Sequence, residues 1–217
     1  MKKKFTEKLK YFFGLGKHSD YINEYFDKSN IRSSLNVTSV VMLLELAMMI
    51  NITLRQFQEE TRRSTEWFII HISSFAILFL AASGLFIYSL RYLKKGNKKR
   101  HIWEILKYIF SVVALVFGIY ISFLDYTKGE QFITLMTMTV FVFCFVVWRP
   151  VYSVLLLGTT YVVFFIICDR YLPASYATKV NLIIVFISIL MSALNAYHQK
   201  LKEAQKDEKL EHAQSSS

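Results

Sequence analysis

Proline and glycine are scarce, with two and seven in 217 residues. Average usage of roughly 5% and 7% would supply about 11 and 15. That excludes collagen-like and Pro/Gly-rich disordered chains. It also weighs against the interrupted helices that carriers use at midplane sites. Cysteine is scarcer still. Cys144 and Cys168 both fall in apolar runs, without metal-ligand or redox spacing, and read as small buried hydrophobes. Catalytic signatures are missing too: no "HExxH", no Gly-rich dinucleotide loop and no serine nucleophile elbow occurs. "GLGKHSD" is not a phosphate-binding loop, because the earlier glycine would fall at Tyr11 and the required Ser or Thr at His18. The residues therefore imply no catalytic group, no metal and no cofactor.

What is abundant is apolar sequence, in six runs. They cover about 33–53, 67–90, 102–124, 132–148, 151–168 and 176–197. A bilayer core of roughly 30 Å needs about 17–25 helical residues, so each run reads as a membrane helix. The fourth and fifth meet at "WRP", where Pro150 stops one helix and starts the next. About thirty polar residues precede the first run, which makes it a retained span rather than a signal peptide. The expected fold is all-α, with six transmembrane helices.

The net charge of +10 matters through its placement. One side of the expected topology holds 20 of the 26 Lys and Arg: the N-terminus, "RYLKKGNKKR", Lys107, Arg149 and the tail. The other side holds six basic and six acidic residues. The positive-inside rule then puts both termini in the cytoplasm. The partner implied is a lipid bilayer, not a nucleic acid. Residues 2–13 place Phe5, Leu9, Phe12 and Phe13 on one helical face among five lysines, a pattern suited to an anionic membrane surface. "YINEYFDKSNIRSSL" reads as a second short amphipathic stretch before the first span. The expected divisions are a cytoplasmic segment 1–31, a membrane sensor domain 32–197 and a cytoplasmic signalling helix 198–217.

Three polar residues inside the runs are the candidate sensing or ligand-binding set. Glu45 sits between "VVMLL" and "LAMMI". A mid-membrane carboxylate costs about 2.5–3.5 kcal/mol on insertion scales, so it should face the bundle and find a partner or stay protonated. His71 and Asn181 enter the second and sixth spans at similar depth, with Ser73, Ser74 and Asn51 nearby. Together they suggest a polar pocket for a small ligand. The plainer reading is that Glu45 and His71 join two helices, which is worth about 1 kcal/mol.

The sixth run passes without Gly or Pro into "HQKLKEAQKDEKLEHAQSSS", which predicts one rod leaving the membrane. Leu194, Tyr197, Leu201 and Ala204 recur at spacings of three and four, a coiled-coil seam. The seam falters at Asp207 and Glu208. It suggests a parallel homodimer through the sixth helix and its extension. His198 and His212 lack the neighbours of a phosphoacceptor site and read as solvated.

Three stretches carry a family resemblance: "FFGLGKHSDYINEYFDKSNIRSSL", Glu45 within "MLLELAMMI", and "EKLEHAQSSS". The chain resembles the multi-span membrane input region of clostridial-type bacterial sensor and hybrid histidine kinases. Membrane-bound diguanylate cyclases have a similar opening region. The resemblance implies a module in the bacterial plasma membrane that passes a stimulus through its sixth helix to an output domain. No phosphoacceptor box, ATP lid or cyclase signature occurs in these residues, so kinase activity is not carried over. The main alternative is a small-molecule carrier or the substrate-binding subunit of an uptake system. A membrane enzyme is disfavoured, since only Glu45 and His71 could do acid–base work, while an interaction scaffold stays open as an alternative.

Overall fold

The computed structural model describes residues 10–16, 18–59, 62–95, 100–129, 131–171 and 175–215. No strand occurs among them. The helices are α1 (Asp20–Phe57), α2 (Thr65–Lys95), α3 (Arg100–Thr127), α4 (Ile133–Val140, continued by a π-helical turn Phe141–Phe145), α5 (Pro150–Tyr171) and α6 (Tyr176–Ser215). Five of these, all but α4, are long and apolar enough to cross a membrane. Their starts are local sequence chemistry. Ser19, Ser64 and Ser175 each accept a hydrogen bond from the backbone N–H three residues on, which satisfies an orphan donor of the first turn. Pro150 opens α5, where its missing N–H costs no helical bond. The basic face expected over residues 2–13 lies almost wholly outside the described residues. The second amphipathic stretch is not separate from the first span, because both belong to the 38-residue α1.

The chain forms two compact units, Ile31–Phe117 and Met1–Asn30 with Gly118–Ser217. In the first unit the buried positions follow a heptad. On α1 they include Ser34, Thr38, Val41, Glu45 and Ile52, while Leu43, Leu44 and Leu46 are exposed. On α2 the buried row runs His71, Phe75, Leu78, Ala82, Leu85, Ser89. The Phe75 and Phe117 rings meet edge to face at 5.1 Å, and Trp103 Nε1 donates to Ser89 Oγ at 3.1 Å. Both contacts belong to one antiparallel register of α2 on α3. That register sets Ala82 level with Phe110 and Leu85 level with Lys107, so buried rows meet buried rows. Lys107 is buried with its ammonium 5.1 Å from the Trp103 ring centre, an aromatic face that offsets some desolvation. At the turn between α1 and α2, the Gln56 amide donates to the Arg63 carbonyl and accepts from the Arg63 N–H.

In the second unit α5 and α6 run antiparallel, with the Tyr161 and Phe186 rings 5.7 Å apart and Lys179 paired to Asp169 at 3.4 Å. The end of α3 packs closely on α4. A Cβ at Gly118 would lie 3.2 Å from the Leu135 Cα, so any larger residue would have to push α4 back by a few tenths of an ångström. Ser122 Oγ accepts the Leu135 N–H at 2.8 Å, replacing a helical partner that the first turn of α4 lacks.

The fourth apolar run departs from the expected uninterrupted span. Its helical part, Ile133–Phe145, is about 20 Å long at 1.5 Å per residue. Val146 is then extended, with φ −100° and ψ 122°. The cause is visible in the hydrogen bonds. Trp148 Nε1 donates to the Val142 carbonyl at 2.8 Å, occupying an acceptor that a continuing helix would use. The Asn30 side chain takes both polar groups of Val147, donating to its carbonyl at 3.0 Å and accepting its N–H at 2.8 Å. Backbone groups outside a helix need such partners when they are buried, as Val146 and Trp148 are here. Residues 146–149 are thus the hairpin join expected at "WRP", and the helix before it stops three residues short of Trp148.

Candidate functional site

Of the three candidate residues, Glu45 and His71 belong to the first unit and Asn181 to the second. Glu45 is 2% exposed, and its Oε2 has no hydrogen-bond partner. It lies on the buried row of α1, so it faces inward as its cost demanded, yet that oxygen is unpaired. His71 is buried at the N-terminal end of the α2 row, and its Nδ1 is 2.8 Å from the Trp67 carbonyl. A carbonyl only accepts, so Nδ1 carries a proton. The imidazole also stacks on Trp67 with centres 3.8 Å apart. His71 thus has the partners of a structural helix-end histidine. Ser74 Oγ bonds to its own helix at the Ile70 carbonyl, and Asn51 is exposed.

Asn181 is exposed on α6 and lines a cavity of about 610 Å³ within the second unit. Tyr126 from α3, Gln131 and Met136 around the start of α4, and Thr178 and Ile184 on α6 complete its main walls. Its polar groups are hydroxyls and amides, with no charged side chain among the described lining residues. That chemistry suits a neutral or zwitterionic small molecule with an apolar part.

The middle of the same helix is gripped by its own chain. Tyr197, Leu201 and Ala204 are 1%, 0% and 0% exposed. They pack with Ile22 and are covered by Tyr25, Phe26 and Val147. The Phe26 and Tyr197 rings stack at 5.5 Å. The Tyr197 hydroxyl is hydrogen-bonded to His18 Nε2 at 2.7 Å. Burial and then the Arg149 guanidinium hold the His18 imidazole below its usual range, so the ring is neutral near pH 7. Gly14 has φ +63°, and a Cβ there would sit 2.8 Å from the Tyr197 hydroxyl and 2.9 Å from Pro150 Cδ. These residues form a collar around the base of α6. The seam read as a dimer contact is, in this chain, occupied from within.

Collar residues Gly14, His18 and Asn30 carry no motif, and sequence reasoning missed them. The available signal was local: a glycine-rich turn, a serine helix cap at Ser19, and apolar residues at Ile22 and Phe26 matching the seam's spacing. Asn30→Ala removes both bonds to Val147 and should destabilise the protein by about 1–3 kcal/mol. Thermal unfolding in detergent would measure it, and an unchanged midpoint would show that water serves Val147 equally well.

Comparison of the chain with protein-family models, curated proteins and solved structures finds no match in any of the three.

Proposed function

We propose that this chain is the input region of a bacterial plasma-membrane signalling protein, of the histidine-kinase or related type, with both termini cytoplasmic. In this reading α4, about 20 Å of helix plus at most about 14 Å for the four residues Val146–Arg149, completes a sixth crossing. A small ligand or a change in membrane state acts at the outer cavity. The response is a shift or rotation of α6 that biases a two-state output device joined to it. Glu45 and His71 remain candidates for tuning that response from the other unit, and Asn181 for contacting the ligand.

The observation that carries this reading is the continuity of α6, one 40-residue helix from Tyr176 to Ser215. It lines the cavity through Thr178 and Asn181 and enters the collar at Tyr197. Those ends are about 24 Å apart at 1.5 Å per residue. A helix transmits displacement over that distance because each backbone bond resists bending.

A phase scan tests it. An output enzyme is fused after Ser217, and about one to four alanines are inserted after Ala204, each turning the tail by roughly 100°. Activity should oscillate with the helical period. A monotonic or flat response would show that no rotation is transmitted. The cavity also suits a carrier, and solute accumulation by proteoliposomes would favour that alternative.

A further inference from the structure

The seam on α6 has heptad spacing from Leu194 to Ala204, and its part from Tyr197 to Ala204 is covered by a short piece of the same chain. We propose that this seam has two exclusive occupants: the first turns of α1 in the closed molecule, and the seam of a second copy once the collar opens. The collar is then a built-in mask over a parallel dimer contact. This inference goes beyond the sensor reading and needs neither a stimulus nor an output domain.

The chemistry of the second occupant is written around the seam. With Leu194 and Leu201 at one core position and Tyr197 and Ala204 at the other, Lys200 faces Gln205 across a parallel pair. Asp207 likewise faces His212, and neither pair has like charges. An apolar row at the membrane exit has two ways to leave water, back under Ile22 and Phe26 or against its own copy. Anchored helices fix the parallel orientation and raise the effective concentration. Beyond Ala204 the core positions fall on Glu208 and Glu211, which repel across a dimer and stop the seam from lengthening. The contact is therefore short and reversible, and a cover of a few side chains competes with it. Leu210, outside the collar, is 54% exposed, so the mask covers only the part able to pair.

The test uses the full chain in liposomes, with Cys144 and Cys168 replaced by alanine and Ala204→Cys as reporter. Disulfide cross-linking and labelling by a maleimide polymer are read in parallel. With the collar intact both signals should be low. Two independent openings, Gly14→Val and the pair Ile22→Ala with Phe26→Ala, should each raise both by about tenfold. Adding Leu201→Asp should abolish the cross-link and leave labelling high. Strong cross-linking with the collar intact overturns the mask. Labelling that rises without cross-linking overturns the second copy as occupant. Labelling that rises in neither variant shows that the collar is not the cover. Circular dichroism in detergent confirms that each variant remains helical. None of these outcomes depends on α6 transmitting motion, so the phase scan stands or falls separately.

Discussion

Replacing Gln199 with proline is expected to break the rod formed by α6 at the point where it leaves the apolar run. Gln199 is exposed and lies within an unbroken helix, so the substitution disturbs the backbone with little side-chain packing at stake. Proline removes the N–H that bonds to the Asn195 carbonyl and drives its ring against that same carbonyl, at about 3 kcal/mol or more. Spin labels at Ser188 and Lys209, both exposed, bracket the site. An intact helix holds them about 32 Å apart at 1.5 Å per residue, with a narrow distribution. Gln199→Pro should shorten and broaden it, and should flatten the oscillation of the phase scan. A distribution as narrow as that of the parent chain would mean that the collar, not the helix backbone, fixes the direction of the tail. The mechanical role of α6 would then move to Tyr197 and its neighbours.

The rod itself was legible because continuity is a local property. A helix persists where nothing interrupts the backbone, and "NAYHQK" contains neither glycine nor proline. Apolar length likewise marked six runs, five of which are helices long enough for a membrane. The early end of α4 was not legible in the same way. "FVFCFVV" is apolar throughout, and its helix ends because Trp148 and Asn30 supply alternative partners for the backbone. Asn30 is 117 positions away from Val147 along the chain, beyond the reach of any local pattern. The seam shows the same limit from another side. Heptad spacing at Tyr197, Leu201 and Ala204 correctly marks a buried row, but spacing says nothing about which surface buries it. Ile22 and Phe26 have the matching periodicity, and their proximity to α6 follows only from the fold. The polar set divides similarly: depth along a helix was readable for Glu45, His71 and Asn181, whereas membership of one unit or the other was not.

Glu45 is the position where stability and the proposed role pull in opposite directions. Its carboxyl sits on the buried row of α1 with Oε2 unpaired. A buried polar group without a partner costs about 1–3 kcal/mol, and an apolar group of similar shape removes that cost. Glu45→Leu is therefore expected to stabilise the protein by about that amount, raising the unfolding midpoint in detergent by several degrees. Glu45→Lys places an amine at the same position, lengthens the side chain and should lower yield and stability sharply, since a lysine at mid-membrane costs about 2.5–3.5 kcal/mol on insertion scales. The two variants bracket the wild type from either side, which a surface residue would not do. If the unpaired carboxyl serves the sensor, Glu45→Leu should also lock a fused output at a single activity while the fold becomes firmer. A stabilised Glu45→Leu protein that still responds would remove the carboxyl from signalling. A destabilised one would mean that the carboxyl has a partner in the membrane, such as water or lipid, whose loss outweighs the gain in apolar packing.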